Sequence, residues 1–332
     1  MRLESPRTDD ARLVANPRPM RQPEDKPRFR SKAYLEALNR LERFARAGAV
    51  TMLLEGESGT GKSRHAEYVH IISQRQGPYE CAILSAISDS FAHSDLFGHV
   101  SGAFTDARRP RQGLFVSAVG GTLFLDEIGK ASPYLQQLLL HAVEDKQIRP
   151  LGSDRMVQVD VRLVVATNIP LHQLVEEQRF LPDLHARIGN FRVELPPLRD
   201  RRADIPVLVD LFLEKRASEL GYPKPTVHPG LMDALQGAPW PNNLRELDTT
   251  VQRLLIDAAG ARELTPDLCV GDLDHLRKRQ KHKPGSLHLA DVENAIAAAG
   301  SVSQAAERLG IDRTTVYRIR EREGRPELQY LA

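Results

Sequence analysis

Gly56-Glu57-Ser58-Gly59-Thr60-Gly61-Lys62-Ser63 follows an apolar run at 50–54 and precedes 64–72, a stretch that reads as a helix. Strand, glycine-rich loop and helix form the context in which this spacing binds nucleotide phosphates. The glycines let the backbone curl until successive N–H groups point inward at phosphate oxygens. On this reading Lys62 reaches the terminal phosphates and Ser63 offers its hydroxyl to Mg²⁺. The helix beginning near Lys62 adds its positive dipole end to the same anion. A turn with a chance lysine would not bring the full spacing and both flanking elements with it.

Downstream, Leu123-Phe124-Leu125-Asp126-Glu127 is an apolar strand that ends in two carboxylates. Behind a phosphate loop, Asp126 is expected in the Mg²⁺ shell beside Ser63, and Glu127 is expected to polarise an attacking water. Thr167-Asn168 ends the next strand, and strand C-termini of a parallel sheet gather at the ligand crevice. Asn168 there is placed to orient the water or sense the γ-phosphate, although an isolated asparagine at a strand end is more often a turn former, so that role needs more than its position. Charge developing on a transferred phosphoryl group also asks for a cation. Arg187 and Arg245 are the candidates, although each could equally pair at the surface.

The chain has 332 residues, a net charge of +2 and two cysteines. That length accommodates two or three domains. The small net charge means that any nucleic-acid site is local. Cys81 and Cys269 lack metal-ligand spacing and read as free thiols of a reducing cytosol. Nothing at the N-terminus resembles a signal peptide, and no run spans a bilayer. A cytoplasmic protein without a membrane partner is expected.

Prolines among mixed charges make 1–30 a poorly ordered tail. Tyr34, Leu35, Leu38, Leu41 and Ala45 mark one face of a helix. Strands are expected at 81–84, 121–126 and 163–166, the last entered by the alternating Val157, Val159 and Val161. The segment 89–97 reads as a helix and 98–108 as a protruding loop. Ser132 and Pro133 open a helix as cap and first residue. Alternating strands and helices predict an α/β parallel sheet over 31–200. Helices at 204–220, 229–236 and 243–258 predict a small helical lid over 201–262. The basic run within 263–284 reads as a solvated linker.

Residues 302–318 read as helix, tight turn, helix, within a C-terminal domain at 285–332. Asp312 can cap the second helix, and Val316 and Ile319 face inward. Arg313, Thr314, Thr315, Tyr317 and Arg318 are left to face double-stranded DNA, as the start of a recognition helix does. A plain helical hairpin is the alternative.

Several stretches together resemble the AAA+ domain of bacterial enhancer-binding proteins, the sigma-54-dependent transcriptional activators. They are Gly56 to Ser63, Asp95-Leu96-Phe97-Gly98-His99, Gly102-Ala103-Phe104-Thr105, 120–129, Leu195-Pro196-Pro197-Leu198-Arg199 and Trp240-Pro241-Asn242-Asn243-Leu244-Arg245-Glu246-Leu247. The C-terminal segment is similar to their Fis-like helix-turn-helix. The resemblance implies an AAA+ sheet flanked by helices, a lid, and ATP bound between subunits of a ring, usually a hexamer. It implies that Phe104 and Thr105 contact sigma-54 and help to open the promoter complex of its RNA polymerase holoenzyme. Matched residue by residue, Asn168 is the first sensor, Arg245 the second, and Arg187 an arginine finger given to the neighbour.

Three positions depart from the family pattern. Asp106 replaces the loop's second glycine. Ile83 stands where the family has an asparagine that restrains the catalytic glutamate, and Leu181 where it has a first finger. They motivate an alternative, an ATP- and DNA-binding repressor or a passive partner in a mixed ring.

Overall fold

Short strands, the central ones apolar and buried, form the middle layer of the computed structural model, which describes residues 29–48, 50–105 and 107–269 and positions 292, 296, 301 and 302. They are β1 (Met52–Glu55), β2 (Tyr79–Ile83), β3 (Thr122–Asp126), β4 (Arg162–Thr167) and β5 (Arg192–Glu194). All pair in parallel, in the order β2-β3-β4-β1-β5. Side chains alternate across a strand, so each run is divided between two cores. Leu53, Leu125 and Val165 pack with Leu96, Leu135 and Leu184 on one face. Met52, Leu54, Phe124 and Val164 pack with Leu41, Ala66 and Val193 on the other.

Helices α1 (Lys32–Arg46), α2 (Lys62–Ile72), α3 (Asp89–Phe97), α4 (Pro133–Asp145) and α5 (Pro182–Ile188) belong to this layered body. The expected cap of α4 is present: the Leu135 N–H donates to Ser132 Oγ at 3.1 Å. A third core joins α6 (Ile205–Leu220), α7 (Pro229–Gly237) and α8 (Asn243–Asp257) around Trp240, Leu213 and Val251.

The sequence expectations need several corrections. Val157 belongs to a two-residue antiparallel pair with 147–148, so β4 starts only at Arg162. Leu35 is exposed, because α1 buries Tyr34, Leu41 and Ala45 and turns the neighbouring position outward. The segment 98–108 is footed on a short ladder, Gly98–His99 against Arg111–Gln112. Strand β5 and helix α5 carry too little periodicity to be read from sequence.

Arg162 opens β4 and is 1% exposed. Its guanidinium donates to Phe44 O, Ala45 O and Gly48 O at 2.6–2.7 Å. These carbonyls lie at and beyond the C-terminal end of α1, and a cation suits that end of the dipole. Burial pushes the Arg162 pKa down to about 10.

Candidate nucleotide site

The phosphate loop joins β1 to α2, at the C-terminal edge of the sheet. A cavity of about 420 Å³ opens there, lined by Ser58, Gly59, Gly61, Lys62 and Ser63 from the loop and by Asp126, Glu127 and Asn168 from the ends of β3 and β4. The helical lid closes its far side with Phe212, Lys215, Leu244, Arg245 and Asp248. Lys62 Nζ donates to Gly56 O at 2.8 Å and Glu57 O at 3.1 Å. Burial lowers its pKa, and Asp126 opposes that shift. The donor set is hard oxygen from one hydroxyl and one carboxylate, which suits Mg²⁺ that keeps phosphate oxygens and water as its other ligands. Among the described residues no cluster of three His, Cys, Asp or Glu side chains could hold a metal by itself.

The lid is hydrogen-bonded to the loop directly. Leu244 N–H donates to Gly59 O at 2.9 Å, and Arg245 Nη1 donates to Ser58 Oγ at 3.0 Å. Asn243 Nδ2 reaches Ser58 O at 2.9 Å, while its Oδ1 accepts from Leu198 N at 2.7 Å. Asn243 takes a left-handed φ of +53° to do so.

Three loop residues differ from their expected part. The Gly56 N–H goes to Thr167 O in β4, so it is not aimed at phosphate. Thr60 is buried and its hydroxyl donates to Glu57 O. The Glu57 carboxylate accepts two hydrogen bonds from Arg199, each at 2.7 Å, and these raise the Arg199 pKa. Nothing in the glycine pattern announces that fork. Its trace in the sequence is Arg199 at the end of Leu195-Pro196-Pro197-Leu198-Arg199.

Behind the loop, His65 Nδ1 lies 2.8 Å from Gly61 O and Nε2 lies 3.0 Å from the Tyr34 hydroxyl. A carbonyl only accepts, so Nδ1 carries the proton and Tyr34 donates to Nε2. Burial lowers the His65 pKa to about 4. Arg201 lies 3.7 Å over the Tyr34 ring and pairs with Asp204, which accepts from the N–H groups of Arg30 and Ser31.

Glu127 has φ +58°. Its N–H donates to Asp126 Oδ1 at 2.8 Å, and its carboxylate accepts from Ser85 Oγ and from Lys130 Nζ. The Ser85 bond, then that of Lys130, holds its carboxyl below the usual range.

Arg187 is absent from the cavity lining and pairs with Glu144 of α4 at 3.0 Å. Leu181 precedes α5, and the segment around it is pinned by buried Gln136, which accepts from Leu181 N and donates to Arg179 O. Phe104 is 39% exposed and its ring meets His99 edge-on at 5.0 Å. Thr105 beside it is exposed. Asp106, Arg313, Thr314, Thr315, Tyr317 and Arg318 lie outside the described residues. No helix among the described residues is long and apolar enough to cross a membrane.

The family model of the Sigma-54 interaction domain matches residues 28–194. The AAA+ ATPase lid domain matches 199–285, and the Fis-family model of bacterial regulatory proteins matches 292–321. Transcriptional regulatory protein ZraR of Salmonella typhimurium is 37% identical over 86% of this chain and 66% of its own length. The DNA-binding transcriptional regulator NtrC of Escherichia coli is 44% identical over 66% of this chain and 47% of its own. The Nif-specific regulatory protein of Herbaspirillum seropedicae is 43% identical over 67% and 41%. The chain thus spans 41–66% of the length of these curated relatives. The crystal structure of NtrX from Brucella abortus in complex with ATP superposes with a TM-score of 0.65 at 29% identity, covering 89% of this chain and 68% of that one. A RuvB mutant from Thermotoga maritima, at TM-score 0.52 and 16% identity over 88% of this chain and 86% of its own, shares the fold alone.

Proposed function

Since this chain belongs to the family defined by the sigma-54 interaction domain, we propose that it hydrolyses ATP to remodel sigma-54 RNA polymerase from an upstream DNA element. One observation carries the reading. A single cavity collects Lys62, Ser63, Asp126, Glu127, Asn168 and Arg245, drawn from four separate stretches of sequence.

Lys62 neutralises the terminal phosphates, and backbone N–H groups of the loop from Gly61 to Ser63 face the same anion. Ser63 and Asp126 hold the Mg²⁺ that accompanies the triphosphate. When bound, that ion would supply charge neutralisation to the triphosphate, with Ser63 and Asp126 as the residues that would hold it. Glu127 accepts a hydrogen bond from the attacking water and orients it. Asn168 reads the γ-phosphate from the end of β4. Arg245 joins the lid to the nucleotide. Arg187 does not line the cavity of its own chain, which fits a cation supplied to the neighbour in a homo-oligomeric ring, a hexamer by family pattern. Phe104 and Thr105 meet sigma-54 from the loop above the ladder. Arg313, Thr314, Thr315, Tyr317 and Arg318 read double-stranded DNA in the Fis-like segment. The compartment is the cytoplasm.

A promoter reporter that requires sigma-54 tests the reading. Output is expected to rise with the intact chain and to be silent with Glu127→Gln and with Phe104→Ala, the latter keeping ATP turnover within about twofold because Phe104 does not line the cavity. Equal output from intact and Glu127→Gln forms would refute the motor. Specific ATPase activity should rise with protein concentration, as a site completed by a neighbour requires.

A further inference from the structure

Glu127 directly follows β3, which lies between β2 and β4 in the sheet. The phosphate loop follows β1, two strands away across β4. Ser85 follows β2, one strand away on the opposite side. Strands lie about 4.8 Å apart, so a bond to Ser85 draws the carboxylate away from Lys62. Lys130, three residues on in the turn Ile128–Lys130, takes the other oxygen at 2.9 Å. Glu127 lines the cavity, while neither Ser85 nor Lys130 does. Ile83, whose alkyl side chain cannot hydrogen-bond, is 53% exposed at the end of β2. Ser85, two residues later, supplies the hydroxyl that reaches Glu127.

We propose that Ser85 and Lys130 form a clasp that holds the Glu127 carboxylate off the attacking water, so that hydrolysis waits on its release. Both are positioning residues, acting through Glu127. The inference rests on the reading of Glu127 as the water-polarising group. Each contact is partly exposed and weak alone. Together they occupy both carboxylate oxygens and fix the side chain's direction. Removal of one contact is expected to free the carboxylate in part, and removal of both to free it fully.

The test uses the full chain. Lys130→Ala is expected to raise kcat about threefold and the Ser85→Ala/Lys130→Ala pair about tenfold. KM and the Kd of a fluorescent, non-hydrolysable ATP analogue should stay within twofold, with Tm unchanged. Amide exchange in the turn Ile128–Lys130 should quicken in the double variant. Ser85→Thr and Lys130→Arg, which keep the donors, should behave as the parent. An unchanged or lower kcat in the double variant overturns the clasp, as does a Kd that moves with kcat. Glu127→Gln separates the two ideas. If it is inactive while the double variant is not accelerated, only the clasp falls. If it turns over normally, the role of Glu127 and the clasp fall together.

Discussion

Gly59 and Gly102 share a backbone conformation, with φ of +79° and +81°, yet their surroundings are opposite. A Cβ on Gly59 would lie 2.1 Å from the carbonyl oxygen of Asn242 in the lid. A Cβ on Gly102 would meet no described atom within 4 Å. The phosphate loop is held by the lid backbone, the Arg199–Glu57 fork and the Asn243 amide. The loop of Phe104 is held at its base by Val100 N to Leu151 O at 3.1 Å, and beyond that by its own turns, Gly102 N to Ala107 O at 2.8 Å and Ala107 N to Phe104 O at 2.9 Å, and by the His99 ring. A nucleotide site gains from fixed geometry. Segments that open or shift most readily are drawn from the weakly held end of a molecule. One sheet thus carries a rigid crest and a lightly tethered arm.

Gly59→Ala should break that contrast most severely. Left-handed strain adds to a collision with backbone that cannot give way, for a loss upwards of ~3 kcal/mol. Urea titration should show that loss, and nucleotide affinity should fall at least tenfold. Gly102→Ala, with the same φ and open space, should lose only the strain, about 1 kcal/mol. Equal losses at the two sites would mean that the lid does not brace the loop.

His65 gives the next largest effect. Its folded pKa of about 4 lies below the ordinary 6.5. Above pH 6.5 the ring is neutral in both states, and the full contribution is present. As pH falls from 6.5 towards 4 the unfolded chain takes up the proton first, and stability drops by about 3 kcal/mol in all. His65→Leu should flatten that stretch of the stability–pH curve. An unchanged slope would show that His65 is not buried neutral. Arg199→Ala is the gentlest probe. The fork is partly exposed, so screening limits its loss to about 0.5–1 kcal/mol. Nucleotide affinity should weaken two- to fivefold, and an effect on Tm without any on affinity would separate the fork from the site.

The crest was readable in advance because its chemistry is local. Lys62 and Ser63 sit in one octapeptide, and Asp126 and Glu127 end one apolar strand. Asn168 and Arg245 needed the family resemblance, since a strand-end asparagine and a helical arginine have many ordinary uses. Ser85, Gln136, Arg162, Arg199 and Asn243 escaped because their partners are distant in sequence. Arg162 reads as an interruption of a strand, yet burial with three carbonyls makes it part of one. Gln136 breaks the apolar stripe of α4, but its amide satisfies backbone groups 5 and 45 positions away. Polar residues that close long-range hydrogen bonds have no periodicity by which to be found.

Arg162 has a further consequence. Its guanidinium nails the foot of a six-residue strand to the end of α1, and Asn168 stands one step past that strand's head. Sliding β4 would pull that guanidinium from all three carbonyls, so the height of Asn168 over the cavity is set at the bottom of the sheet. A change of length between α1 and β1 would therefore be felt as a displaced Asn168 at the cavity on the far side of the sheet.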